Sequence, residues 1–366
     1  MVRALALFFL IVASLPLWSV TAQSSTKRAE VTFEFTEAVS TVDRVSIEQG
    51  IRFAQDAYIG LFGSDAQGPV TVTVDYDETG QARHGVRNSR QIFINAWNYR
   101  GMSALVQTMS VVHEYFHIWQ FGQSRGFPLG PYWLVEGSAE FISYWVLAQA
   151  RLVSYDDVHE FFIQMANGAR AQEPVNLPVL SELTDPDAMF APGAACCSYH
   201  LSALALELLV EEQGVEALGT YFTGLRAPGG GTRAFEDAFG QSVEEFYQAF
   251  EEQRTAILTS SGRDVTPLLL TPPFNEGWAE VSLTNVPEVV ERGEQVILTG
   301  ATAPGVLCSL TLTSADGKEP LSYPTYADSY GFVFWLWTLQ EDTDRGTAGI
   351  EVACGGLPVT TTIDVA

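Results

Sequence analysis

The sequence predicts a mixed α+β domain followed by an all-β module. Apolar residues recur at helical intervals over residues 42–61, and alternating segments such as residues 31–35 predict strands. Near the end of the chain, short apolar segments are separated by turns rich in Gly, Asp and Pro, which is typical of an all-β fold. We therefore expect domains at 30–258 and 278–366, joined by a linker at 259–277.

Residues 1–22 have the pattern of a secretory signal peptide. A single Arg precedes an apolar run, and small side chains occupy the cleavage-type positions at the end. We expect cleavage between Ala22 and Gln23, a flexible lead-in at 23–29, and a secreted or otherwise extracytoplasmic protein. A membrane anchor is the weaker interpretation, because Pro16 interrupts a run that is short for a span. We expect no membrane span in the mature chain.

The chain is acidic but has ample apolar material for a core. Its 366 residues include 44 Asp and Glu against 19 Lys and Arg, a formal net charge of −25. An anionic surface repels phosphate backbones and acidic lipid headgroups, so we expect neither a nucleic-acid partner nor peripheral membrane binding. Because 47% of the residues are hydrophobic and only 17% are charged, the chain is not a disordered polyanion.

A small sheet and one helix are expected ahead of the first motif. Residues 31–35, residues 70–74 and Gln91–Asn95 are predicted strands, and residues 42–61 form a core-facing helix. The polar residues 76–90 are expected to form a loop. The last strand of the sheet then lies just before the helix that bears the motif.

The segment from His113 to His117 has the pattern H-E-x-x-H. On a helix, residues four apart differ by about 40° of rotation, so both imidazoles leave the same face one turn apart. Two such nitrogen ligands suit a tetrahedral Zn²⁺, and a third protein ligand leaves the fourth position for water. Glu114 projects beside that position, where a carboxylate can take a proton from water that the cation has made more acidic.

Glu136 is the candidate third ligand. Eighteen residues separate it from His117, enough for one helix to end and a second to return antiparallel. Residues 131–147 are the predicted second helix, because Pro131 suits a first helical turn and apolar residues follow at helical intervals. Glu140 lies one turn further on the same face, and we expect it to accept a hydrogen bond from His113 and so orient the ring. The alternative for Glu140 is a solvated helix charge.

Together, H-E-Y-F-H, the spacer of eighteen residues and W-L-V-E-G-S-A-E resemble the gluzincin zinc metallopeptidases, in particular the peptidase-MA-like families related to the alanyl-aminopeptidase type. The resemblance covers roughly residues 30–255. It implies a small N-terminal β-sheet with a mainly helical remainder, Zn²⁺ bound by His113, His117 and Glu136, and Glu114 as the catalytic base.

One element of the aminopeptidases is missing from the sequence. They carry a G-x-M-E-N-type exopeptidase motif upstream of the helix, where this chain has Gly101-Met102-Ser103-Ala104. Without that glutamate, recognition of a free substrate amine loses its usual anchor. The resemblance therefore does not imply aminopeptidase specificity.

Tyr199 opens a predicted helix at 198–213. This segment is similar to one downstream of the third ligand in peptidase-MA-like proteins, where a tyrosine opens the helix. The resemblance implies that Tyr199 donates to the oxyanion of the tetrahedral intermediate, with His200 as the alternative donor. The remaining alternative is that both are packing or surface residues. It also implies that Gln91–Asn95 is an edge strand that pairs with an extended substrate backbone, the alternative being an ordinary edge strand.

The rest of the helical part has weaker patterns. Helices are predicted at 154–166, 215–225 and 242–257, with a loop at 172–197. Glycines 229–231 lack the Lys and Ser/Thr of a phosphate loop, so we expect a turn there. His84 and His159 have no partner pattern and are expected at the surface.

The predicted strands after residue 277 resemble bacterial immunoglobulin-like modules, most clearly in Ala303-Pro304-Gly305-Val306-Leu307-Cys308. Trp335 and Trp337 alternate on one strand and are expected to fill the core, with an exposed carbohydrate platform as the alternative. In an exported chain an even number of cysteines favours disulfides, and we expect one between Cys308 and Cys354. The adjacent Cys196 and Cys197 either close a strained ring or stay reduced.

These patterns predict an exported zinc-dependent peptidase acting on peptide or protein substrates. One alternative is a binding or adhesion protein that keeps the zinc fold without turnover. Another is a zinc hydrolase acting on a different bond, such as a crosslink in cell-wall peptide. The presence of Glu114 argues against the first alternative, because a purely structural zinc site has no use for that carboxylate.

Overall fold

The computed structural model describes residues 28–79, 85–99, 104–126, 129–169, 175–194, 197–265, 279–317, 321–328, 331–356 and 358–366. The predicted signal peptide, residues 23–27 of the lead-in, His84, Cys196 and residues 266–277 of the linker lie outside these ranges. The chain combines helices with several sheets, so the mixed α+β prediction is confirmed. The domain boundaries stay predictions.

A four-stranded sheet opens the described chain. Its strands are β1 (Val31–Phe35), β2 (Val70–Asp75), β3 (Gly85–Asn88) and β4 (Gln91–Asn95), in the spatial order β1-β2-β4-β3. The strands β1, β2 and β4 are parallel, and β3 pairs antiparallel with β4. Side chains alternate between the two faces, so β2 buries its three valines against the helices.

The strand β3 corrects two expectations. It lies within the segment predicted as a loop, and it makes β4 an interior strand, so Gln91–Asn95 is not the edge. The residues of β3 are Gly, Val, Arg and Asn, which give no alternating apolar pattern. The strand forms because it pairs with backbone groups that β4 would otherwise expose. The edge beside β4 is therefore Gly85–Asn88.

Helices α1 (Thr41–Phe62) and α2 (Ala104–Ser124) pack against each other. Ser40 caps α1 by accepting from the backbone N–H of Asp43 at 3.1 Å, and Gly63 ends it with φ 66°, a conformation that favours glycine. The Tyr58 hydroxyl donates to the Val112 carbonyl at 2.7 Å. This bond fixes α2 on α1 at the residue before His113.

The remaining helices follow the predicted order with two additions. They are α3 (Tyr132–Gln149), α4 (Tyr155–Ala166), α5 (Pro186–Met189), α6 (Ser198–Gln213), α7 (Ala217–Gly224), α8 (Gly230–Phe239) and α9 (Val243–Ile257), with 3₁₀ turns at Ala96–Tyr99 and Leu180–Glu182. Helices α3 and α7 pack against α2. The short α5 lies in the predicted loop, and α8 begins where we expected only a glycine turn. Burial of Phe235 and Phe239 stabilises α8 despite its glycine start.

Among the described residues, no helix combines the length and apolarity that a bilayer crossing requires. The side chain of His159 on α4 is 45% exposed, as expected for a surface residue, and its Nδ1 atom lies 2.8 Å from Oε2 of Glu207 on α6. A sequence pattern could not pair these residues, because they are distant along the chain and meet only when α4 packs on α6.

Two sheets form the C-terminal part. The strands are β5 (Ser282–Asn285), β6 (Val289–Val290), β7 (Gln295–Ala301), β8 (Leu307–Thr313), β9 (Leu321–Tyr326), β10 (Phe332–Thr338), β11 (Gly346–Ala353) and β12 (Val359–Val365). One sheet has the order β10-β7-β5 and the other β6-β12-β11-β8-β9. The short β6 and the strand β9 were not predicted. The all-β character of this part agrees with the expectation.

Side chains in the C-terminal part settle three expectations. A disulfide joins Cys308 and Cys354, as predicted. Trp335 and Trp337 are only 2% and 3% exposed, so they fill the core and the carbohydrate-platform alternative was wrong. Cys197 is also disulfide-bonded, so it is not a reduced thiol.

Helix α3 lies in direct contact with α6 at Gly137, the residue after the candidate ligand Glu136. A Cβ on Gly137 would lie 2.7 Å from the carbonyl carbon, the carbonyl oxygen and the Cβ of Ser202. Only a glycine permits this approach. The glycine in the W-L-V-E-G-S-A-E motif is thus required by the packing of α3 against α6.

We expect Gly137→Ala to destabilise the fold by about 1–3 kcal/mol, because α3 and α6 must move apart to admit the methyl group. Urea denaturation of the metal-free protein measures this change. Gly219→Ala on α7 is the matched control, since its Cβ would meet Phe62 Cδ1 at 3.4 Å, an ordinary van der Waals contact. Wild-type stability in Gly137→Ala would contradict the close helix contact.

Candidate metal site

Three predicted ligand atoms converge between α2 and α3. The Nε2 atoms of His113 and His117 lie 3.2 Å apart. The Oε2 atom of Glu136 lies 3.4 Å from the first and 3.3 Å from the second. Among the His, Cys, Asp and Glu side chains of the described residues, these three form a group that could hold a metal ion. The antiparallel return of α3 produces the convergence.

The other ring nitrogen of each histidine contacts an acceptor. His113 Nδ1 lies 3.1 Å from Glu140 Oε2, and His117 Nδ1 lies 2.8 Å from Gln120 Oε1. The Gln120 amide is oriented by its NH₂ group, which donates to Val135 O at 2.9 Å and to Ser138 Oγ at 2.8 Å. Each Nδ1 therefore carries a proton in the neutral ring, and each Nε2 presents a lone pair to the same point.

The cluster is buried, and its charges shift one another's pKa values. Burial alone would raise the pKa of Glu136, but His117 and His113 lower it well below its usual range. Burial would likewise lower the pKa values of both imidazoles, yet Glu136 raises them, with Glu140 also acting on His113. Protons and a metal ion therefore compete for the Nε2 atoms. A divalent cation that binds here releases protons.

Glu140 and His200 lie behind the ligands. Glu140 is buried, which does not fit a solvated helix charge. Its Oε1 atom lies 3.4 Å from His200 Nε2, and its Oε2 atom faces His113. The ring of His200 packs edge-on against Phe161, with centroids 5.2 Å apart. The Nε2 atom of His200 is thus directed at Glu140.

Glu114 and Tyr199 border the ligand cluster. Glu114 is buried on α2, and a Cβ on Gly85 of β3 would lie 3.9 Å from its Oε2 atom. The Tyr199 ring centroid is 6.0 Å from that of His113. Burial, followed by the charge of Glu136, raises the pKa of Tyr199, so the phenol stays protonated and can donate. The structure thus brings six predicted side chains to one site, while their roles stay predictions. They are His113, Glu114, His117, Glu136, Glu140 and Tyr199.

Sequence reasoning missed two residues of this site. Gln120 follows His117 by one helical turn, and Tyr132 precedes Glu136 by one turn, so both lie on the faces that carry the ligands. The Tyr132 side chain lies close to Glu136, and its pKa is raised by burial first and then by the Glu136 charge. The i, i+3 and i, i+4 spacings were available in the sequence, but nothing marked these polar residues as inward-facing.

Comparisons with known proteins add little to this geometry. No protein-family model matches the chain, and no curated protein matches it. Among solved structures, the crystal structure of Legionella pneumophila aminopeptidase A in complex with aspartic acid is similar, with a TM-score of 0.41 and 13% sequence identity. The match covers 92% of this chain but 36% of that one, so this chain spans about a third of its length. A likeness at this level supports no inference about fold or function.

We expect Glu140→Gln to lower metal affinity about 10–100-fold while the chain stays folded. The neutral amide is a weaker acceptor for the His113 Nδ1–H and leaves the imidazole less basic. Metal titration against a competing chelator measures the affinity, and circular dichroism reports the fold. Glu212→Gln, an exposed carboxylate on α6, is the control. An unchanged affinity in Glu140→Gln would refute the supporting role of this residue.

Proposed function

We propose that the chain is an exported zinc-dependent peptidase with a gluzincin-type site. The observation that supports it best is the spacing of the three donor atoms, 3.2, 3.3 and 3.4 Å. Two ligands bound at zinc distances of about 2.0–2.1 Å in a tetrahedron lie roughly 3.3 Å apart. The three atoms therefore match one face of a zinc tetrahedron, and the fourth corner is left for water or substrate.

In this proposal, His113, His117 and Glu136 hold the metal and the remaining residues handle protons and charge. A bound zinc ion supplies Lewis acidity toward water and the scissile carbonyl. Glu114 takes the proton of the attacking water and passes it to the leaving amine. Tyr199 donates to the carbonyl oxygen as it gains charge. Glu140 and Gln120 keep the imidazole rings in the orientation that binding requires.

The substrate backbone is assigned to β3. In the proteins that the motif resembles, an edge strand along the cleft pairs with an extended peptide. That role now falls to Gly85–Asn88 because β4 is covered. The proximity of Gly85 to Glu114 supports this, since a peptide paired with β3 would pass beside the proposed base. No free-amine anchor is assigned, because the sequence lacks the exopeptidase motif.

Export and an immunoglobulin-like C-terminal module belong to the same proposal. The disulfide between Cys308 and Cys354 fits an oxidising compartment, as a cleaved signal peptide at 1–22 would provide. The two sheets of the C-terminal part bury a common core that includes both cysteines. That packing is compatible with a β-sandwich of the expected kind.

We expect Glu114→Gln to abolish peptide cleavage, with a loss of at least about 10²-fold, while metal content stays at the wild-type level. The amide cannot accept the water proton, but it is not a metal ligand. Mass spectrometry of a cleaved peptide library, with and without a chelator, tests metal dependence and bond preference together. Elemental analysis of the purified variant gives its metal content, and Glu212→Gln serves again as the control.

A wild-type chain that is fully loaded with zinc yet cleaves no peptide in the library would reject the peptidase proposal. The binding or adhesion alternative would then hold. Cleavage that is confined to crosslinked cell-wall peptides would favour the other hydrolase.

We expect Tyr199→Phe to lower kcat about 10²–10³-fold with little effect on KM, because the lost hydrogen bond acts mainly in the transition state. Tyr132→Phe provides the comparison. Since the Glu136 charge acts on the Tyr132 hydroxyl, loss of that hydroxyl should act mainly on metal affinity. Steady-state kinetics at saturating zinc separates the two effects. A kcat that falls for Tyr132→Phe and not for Tyr199→Phe would transfer the donor role to Tyr132.

A further inference from the structure

Three aromatic rings lie side by side next to the candidate ligands. The ring centroid of Phe190, directly after α5, is 6.1 Å from that of Tyr132 and 6.0 Å from that of Tyr199. The ring centroid of Tyr199 in turn lies 6.0 Å from that of His113, and Tyr132 lies close enough to Glu136 for that carboxylate to raise its pKa. We call Tyr132, Phe190 and Tyr199 the aromatic surface. It lies next to the candidate ligand His113.

Phe190 is exposed although it belongs to a class of side chain that proteins usually bury. It is 47% exposed, and it is the one aromatic among the exposed large hydrophobic side chains of the described residues. The others are Val179, Val289 and Leu307. Apolar area left open beside a functional site is characteristic of a ligand contact.

The position of Phe190 is fixed by backbone contacts with α3. The N–H groups of Tyr132 and Trp133 donate to Thr184 O at 3.1 Å and to Leu183 O at 2.8 Å. Asp185 then caps α5 by accepting from the Ala188 N–H at 3.0 Å. Met189 is fully buried and anchors the end of α5. The segment is therefore tied to the same turn of α3 that leads to Glu136, which keeps the backbone of Phe190 beside Tyr132.

The exposed ring of Phe190 determines the kind of group that fits the aromatic surface. A neutral aromatic or large aliphatic side chain would cover Phe190 and remove its apolar area from water.

We propose that Phe190, with Tyr132 and Tyr199, binds the side chain of a substrate residue next to the scissile bond, so that the chain prefers aromatic or large aliphatic residues there. This inference rests on the proposed peptidase function. Phe190 acts in it as a specificity-determining residue that touches the substrate and takes no part in proton transfer.

The test compares peptides that differ at the residues flanking the cleaved bond. They carry Phe, Leu, Ala or Asp on either side, and kcat/KM is measured for the wild type, Phe190→Ala and Phe190→Leu. A pocket contact of this size changes kcat/KM by about 10–200-fold. We expect Phe190→Ala to lower kcat/KM for the Phe peptide at least about ten-fold more than for the Ala peptide.

Two variants serve as controls. Phe190→Leu should retain most of the preference for the Phe peptide. Leu307→Ala, which removes another exposed side chain (41%) from the C-terminal part, should leave it unchanged.

Equal losses for all peptides in Phe190→Ala, or no loss, would overturn the inference while leaving the peptidase proposal intact. A second measurement remains decisive even where no peptide is cleaved. In a zinc-loaded Glu114→Gln background, calorimetry compares binding of the Phe and Ala peptides with and without Phe190→Ala. Selective weakening of the Phe peptide supports the aromatic surface, and equal affinities refute it.

Discussion

The position of Glu136 depends on the close packing of α3 between α2 and α6. On one side, Gln120 of α2 donates to Val135 O and Ser138 Oγ of α3. On the other, Gly137 lies directly against the backbone of Ser202. Because a helix is stiff over a few turns, these two contacts place Glu136 and Glu140 together, one turn apart on the face that meets the imidazoles. The geometry of the site is thus set by packing around it rather than by the ligands alone.

The same packing removes several ionisable groups from water. The buried side chains of Glu114, Glu136 and Glu140 surround two imidazoles, and no described Lys or Arg forms an ion pair with Glu136 or Glu140. Burying such charges is costly unless they are compensated. Protons on the imidazoles compensate them in part, which is why the pKa values of His113 and His117 are raised. A divalent cation would compensate them more fully, so metal binding at this site would also stabilise the fold.

The sequence predicted those features that depend on regular spacing and missed those that depend on the fold. His113, His117, Glu136 and Glu140 could be placed because helical periodicity puts them on facing surfaces. The strand β3 could not, since Gly85–Asn88 has no apolar alternation and exists only as the partner of β4. The helix α8 was missed because its start is glycine-rich, whereas its stability comes from the burial of Phe235 and Phe239 in the folded chain. No sequence pattern marked Phe190, because its exposure beside Tyr132 and Tyr199 arises only in the folded chain.

The strand β10 connects the C-terminal part to the helices that support the site. Its period of two sends Phe334 and Leu336 into the core shared with the helices, whereas Trp335 and Trp337 enter the core between the two sheets. A polar contact joins the same surfaces, since Asp56 of α1 accepts from the Thr338 hydroxyl of β10 at 3.5 Å. The side of α1 that faces β10 therefore belongs to the hydrophobic core that the helices share with Phe334 and Leu336. Because α1 also holds α2 through Tyr58, the C-terminal sheets contribute to the rigidity of the helix that bears His113 and His117.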